Sequence, residues 1–322
     1  MSEEAYVRTF KFRPYEGTRK GRIWRVWEIS WFNMAHQWHR SRILKVLIGI
    51  TIFILIIPNM FLFVGTDTLL ETTTANEILE DHLWRTIRNF VRFQVLISSP
   101  EETDPTFDTG YSILMLISAI MMGAGLISDD VKNKMSEMYY SKIDRLEYLL
   151  GKYGSLIIFG NLFYTLPCVI EWGLLVVGIR GVDVLLALPV LFNVILFTEV
   201  LTFVLASIIL AFSSLTQRRL YAGLLGFMFF LAMNILIEAL TSQAGSFVPI
   251  MYLDIFTALS VFSFMLVGES SVLYITSEID TGIILDLTGL AGSMTIPAIV
   301  AFFMGGMLIC AFQVIWRHSR SL

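Results

Sequence analysis

Charge is what this sequence has least of. Charged residues fill 16% of the 322 positions and hydrophobic ones 56%, whereas about a quarter of a soluble domain is charged. That deficit, combined with apolar runs of about 20 residues, argues against an ordinary soluble domain and for helices that cross a bilayer. Cysteine is nearly absent. Cys168 and Cys310 both lie inside apolar runs, so neither a disulfide framework nor a thiolate metal site is expected. The histidines are scattered: His36, His39 and His318 flank expected spans, and His82 lies in a loop. No Ser-His-Asp pattern, metal-ligand cluster or dinucleotide loop stands out. The "GKY" at 151–153 has the look of a phosphate loop, but Leu146 stands where glycine is needed and Tyr153 where Ser or Thr is needed. The chain is therefore read as a non-enzyme without catalytic residues, cofactor or metal of its own. Nucleic acid is not an expected partner. The first apolar run begins only near Ile43, which predicts no cleavable signal peptide.

What is present is a series of apolar segments. Six spans are expected, at about 43–64, 110–128, 153–178, 184–212, 220–241 and 294–316. Their length favours helices over barrel strands, which would alternate over about 10 residues. Lysine and arginine cluster before the first span, in the insert at 125–152, at Arg218 and Arg219, and at Arg317 and Arg320. With six spans all four clusters fall on one side, which the positive-inside rule makes the cytoplasm. From Leu220 to Trp316 there are acids but no lysine or arginine. The segment "VPIMYLDIFTALSVFSFMLVG" at 248–268 is apolar enough for a seventh span. A seventh span would export the terminal arginines, so an external re-entrant hairpin before the last span is preferred.

Residues 1–42 read as a cytoplasmic N-terminal segment. Within it Trp24, Trp27, Trp31 and Trp38 recur at helical spacing, the pattern of a helix lying in the membrane interface. In the loop after the first span, Leu79, Leu83, Ile87, Phe90 and Val91 mark an amphipathic external helix near 75–96.

The insert "GLISDDVKNKMSEMYYSKIDRLEYLLGK" is the most distinctive stretch. Ser128 followed by Asp129 and Asp130 predicts a helix start. Val131, Met135, Met138 and Tyr139 then share one face of a short helix over about 129–140. After a break at Ser141 to Ile143, Asp144 and Glu147 predict a capping box that opens the helix of the third span. A solvated loop helix or one lying on headgroups fits the spacing equally well.

The insert resembles the permease subunits of type 2 ABC transporters. The match is carried by Gly125, Leu126, Ile127, Ser128, Asp129, Glu137, Ser141, Lys142, Arg145, Glu147, Tyr148, Leu149, Leu150, Gly151 and Lys152. It departs at Lys134 and Met135, where those chains often have Gly-Thr, and in lacking a proline after Lys142. The resemblance implies an all-α membrane protein with six transmembrane helices, the N-terminal interfacial helix and the external hairpin. It also implies a permease domain over 43–322. The short insert helix would be a cytoplasmic coupling helix, with Val131, Lys132, Lys134, Met135, Glu137, Met138 and Tyr139 contacting a separate ATPase chain. ATP-Mg would belong to that partner. A second permease subunit, the lipid bilayer and the plasma membrane complete the expectation, with both termini cytoplasmic and export as the direction. The alternatives are a membrane anchor or assembly subunit of a larger complex, and a stand-alone secondary carrier.

Acids inside apolar segments are costly and mark polar interiors. Glu199, Glu171 and Asn193 are the candidate translocation-path residues. For Glu199 a path role and a hydrogen-bonded packing contact weigh evenly; for Glu171 the packing contact is favoured.

Overall fold

The computed structural model describes residues 21–50, 52–53, 75–91, 111–133, 143–244 and 305–314, and positions 255, 259, 262, 266 and 316. Among them 92% are helical and none is in a strand. The helices are α1 Arg22–Arg40, α2 Ala75–Val91, α3 Tyr111–Gly123, α4 Gly125–Lys132, α5 Arg145–Gly160, α6 Leu166–Gly178, α7 Val184–Leu215 and α8 Arg219–Ala244. Further helical stretches occupy 42–50 and 305–314.

Three helical stretches are long and apolar enough to cross a membrane. These are Leu114–Lys132, Arg145–Gly178 and Val184–Leu215, of 19, 34 and 32 residues. At a rise of about 1.5 Å per residue the longer two exceed a hydrocarbon core of about 30 Å. The chain is a membrane-embedded helical protein.

Helix α7 is the axis of the bundle. It packs against α2, α3, α4, α5, α6 and α8. Its inner half has almost no solvent-facing side, with Val204, Leu205, Ile208, Ile209 and Leu210 all buried. A helix apolar all round needs neighbours all round. Asp183 starts it by accepting the Leu185 N–H at 3.0 Å.

Two irregularities interrupt the long helices. At Ala124, α3 gives way to α4. Ser213 of α7 reaches into this turn, donating to the Ala124 carbonyl at 2.9 Å and accepting from the Ile127 N–H at 3.0 Å. A side chain inserted in the hydrogen-bond ladder is a sufficient cause for the break. The second is a π-helical turn at Asn161–Thr165 between α5 and α6. Pro167 lies two positions beyond it. Proline has no N–H to donate and its ring crowds the carbonyl four residues back, so the preceding turn widens.

Helix α1 lies along α5. A Cβ at Gly151 would sit 2.5 Å from Cγ2 and 2.9 Å from Cβ of Ile29, so only glycine admits this approach. The face of α1 turned inward is partly polar, with Ser30, Met34 and Gln37 buried. The outward face carries Trp24, Trp27, Trp31 and Phe32, all exposed, with Trp24 at 61%. Such a distribution is the reverse of a water-facing helix and suits an apolar or interfacial medium. Trp38 departs from the expected stripe: it turns inward and stacks on Phe163 at 5.4 Å.

Helix α2 packs on α6 and α7. Leu79 and Leu83 are fully buried there, and Asn76 accepts the Asp183 N–H at 3.0 Å. The described positions of the 248–268 segment, Ile255, Leu259, Phe262 and Leu266, are helical and packed into the bundle core. Phe262 stacks on Phe197 at 6.5 Å.

Candidate functional site

At the end of the bundle where α1, α4, α5 and α8 meet, charged side chains are joined in pairs. Lys152 lies 2.7 Å from Asp130 and donates to Asn33 at 2.8 Å. Tyr148 donates to the same Asp130 oxygen at 2.8 Å. Lys152 is only 2% exposed, so its charge is held by these oxygens rather than by water. Glu147, 5% exposed, accepts from Arg25 at 3.1 Å and lies 3.5 Å from Arg22. Asp129 accepts from Arg40 at 2.8 Å. Arg219, at the start of α8, donates to the Met121 carbonyl, and its side chain crosses the space beside Gly125 and Asp129. Four elements are thus tied at one charged junction by residues from both ends of the insert.

Two local expectations are corrected here. Ser128 does not start a helix. It lies within α4, which begins at Gly125, and its hydroxyl donates to the Ala124 carbonyl at 2.7 Å. The third-span helix does follow Asp144, but no side-chain cap forms. Glu147 turns to the arginines of α1 instead, because a charge-assisted bond outcompetes a neutral backbone donor. Arg22 also lies 3.6 Å from Asp144, at the surface.

Of the expected partner-contact residues, Val131 and Lys132 occupy the last turn of α4. Val131 packs against the core and Lys132 is exposed. Lys134, Met135, Glu137, Met138 and Tyr139 lie outside the described residues.

The three candidate path residues are not brought together. Glu171, 2% exposed, accepts from Thr86 of α2 at 2.7 Å, with His82 Nε2 at 3.5 Å. Asn193 donates to the Leu266 carbonyl at 2.9 Å. Glu199 accepts from Asn161 at 3.3 Å. Asn193 and Glu199 are six positions apart, about 240° around the helix at 100° per residue, and so face different neighbours.

Glu199 instead belongs to a polar seam between the α5–α6 helix and α7. Trp172 donates to the Ala187 carbonyl at 3.1 Å. Thr165 donates to Thr198 at 3.1 Å. Asn161 meets Glu199, and a Cβ at Gly160 would collide with Thr202. Tyr153 donates to the Phe203 carbonyl at 3.0 Å. The partners run antiparallel, so the seam follows the long axis of both helices. Sequence reading missed Ser213, Thr165, Thr198 and Thr202, whose hydroxyls carry no periodic signal. Among the described residues no group of three or more His, Cys, Asp or Glu could hold a metal ion. No family model matches the chain, and no curated protein matches it.

Proposed function

We propose that the chain is the membrane-spanning permease subunit of an ATP-driven ABC transporter, acting in export from the plasma membrane. On this reading it has six spans, both termini cytoplasmic, and the 248–268 segment is an external hairpin. One observation carries the reading: Asp130 of the "GLISDD" half meets Tyr148 and Lys152 of the "RLEYLLGK" half. The end of α4 and the start of α5, on either side of the insert, are therefore braced to each other at one point. A short helix seated there in an ATPase groove could not move alone. Its displacement would pass through Asp130 and Lys152 into α5, and through Glu147 and Arg25 into α1. Rigid-body tilting of packed elements is the means by which nucleotide-driven closure would alternate access.

Val131, Lys132, Lys134, Met135, Glu137, Met138 and Tyr139 form the contact with the ATPase on this reading. ATP-Mg stays on that partner, and a second permease subunit completes the path. Purified from native membranes, the chain is expected to bring an ATP-binding chain with it. Met138→Asp places a charge in an apolar contact and is expected to abolish that association without lowering the amount of chain in the membrane. Retention by the variant, or no ATP-binding chain with the wild type, contradicts the proposal.

A further inference from the structure

Among the buried and half-buried acids described above, Glu199 is distinguished by what faces it. Asp129, Asp130 and Glu147 each meet a lysine or arginine, and Glu171 meets a hydroxyl and a histidine. Among the described residues Glu199 meets the neutral amide of Asn161, at 3.3 Å, and that amide is shared with the Ile157 carbonyl at 3.1 Å. It has no cationic partner among the described residues. It is also half-buried rather than enclosed. A carboxylate at membrane depth facing hydrocarbon is strongly disfavoured, so such groups face a path or a counter-charge.

The surroundings are asymmetric. One turn away, Thr202 is 2% exposed, yet its hydroxyl has no hydrogen-bond partner among the described residues. The neighbouring hydroxyls behave otherwise: Thr198 bonds back to the Val194 carbonyl at 3.1 Å and Ser207 to that of Phe203 at 2.5 Å. The Thr202 side chain is turned onto Gly160, beside Asn161. The other direction along the two helices is apolar. Leu162, Leu166 and Ile170 on one side and Phe192 and Leu196 on the other are exposed. Phe192, Leu196 and Glu199 fall within one narrow arc of α7 by helical spacing. The π-helical turn at Asn161–Thr165 lies at the level of the carboxylate, and such turns occur often at functional positions.

From this arrangement we infer that Glu199 and Asn161 form the charge-recognition end of a subsite for lipophilic organic cations. The positive centre sits at Glu199, and the apolar body lies along Leu162, Leu166, Ile170, Phe192 and Leu196. The inference rests on the permease reading and names the class of cargo that its path accepts. A compact inorganic cation would use the carboxylate alone; an organic cation uses the apolar face as well.

Binding of radiolabelled tetraphenylphosphonium to the purified full chain in lipid nanodiscs tests this. Saturable binding by the wild type is expected, with little binding of the isosteric anion tetraphenylborate. Glu199→Gln, which keeps shape and removes charge, is expected to weaken affinity by about tenfold or more, the size of one lost charge contact. Leu166→Trp, which fills the apolar face and leaves the carboxylate, is expected to weaken it too. Unchanged affinity in Glu199→Gln, equal binding of the anion, or full competition by equimolar sodium overturns the inference. Association with the ATPase is read separately. A chain that keeps its ATPase but binds no tetraphenylphosphonium refutes only the cation subsite. One that binds the cation without any ATPase refutes only the permease reading.

Discussion

Lys152 and Asp130 show at the scale of single residues how the charged junction holds. Each is unfavourable inside the bundle without the other, and Tyr148 and Asn33 supply the remaining bonds. Removing one partner of a buried pair leaves the other charge uncompensated, at a cost of about 3–5 kcal/mol. Lys152→Met is therefore expected to lower the midpoint of thermal unfolding in detergent, and the double variant Asp130→Asn/Lys152→Met to recover much of it. A double variant no more stable than the single one would show that the pair is not coupled. The identities of these charges were legible in the sequence, but their partners were not. Asn33 lies 119 positions from Lys152, and helical periodicity reports only neighbours within a turn or two. The expected capping box at Asp144 failed for the same reason: the competing arginines of α1 are remote in sequence.

At the scale of elements, the three helical stretches long enough to cross a membrane were readable because length and apolarity are local properties. The interruptions were not. The break at Ala124 depends on Ser213 from another helix, and Ser128 looked like a cap because its bond to Ala124 within α4 leaves no mark on the sequence. The π-helical turn was not legible either, since proline is common in membrane helices and Pro167 alone does not specify it. Helix α1 was readable as amphipathic, but its dependence on Gly151 was not. Gly151→Leu would force α1 off α5, since the new Cβ would lie 2.9 Å from Cβ of Ile29. Overpacking of this kind costs about 1–3 kcal/mol. The expected result is faster amide hydrogen exchange across Arg22–Arg40 with α7 still protected. Unchanged exchange in α1 would mean that the helix is held by its charged pairs alone.

For the whole molecule, the proposed permease role would use the helices, the aromatic outward face of α1 and the braced junction to pass motion from a peripheral chain into a bilayer. Helix α1 is held to α5 both by Arg25 and Glu147 and by the glycine contact. Glu171, bonded to Thr86 of α2, has a packing partner at the opposite end of the span, whereas Glu199 lies on the seam and accepts from the neutral amide of Asn161. The central claim is that the segment beyond α4 is the seat of an ATP-binding partner. Its most direct test is a photo-crosslinking amino acid at position 138, activated in native membranes and followed by mass spectrometry of the adduct. The account predicts one dominant adduct, to a chain bearing nucleotide-binding motifs, and its loss when α4 is uncoupled by Asp130→Ala. Adducts to lipid alone, or to no second protein, would contradict it.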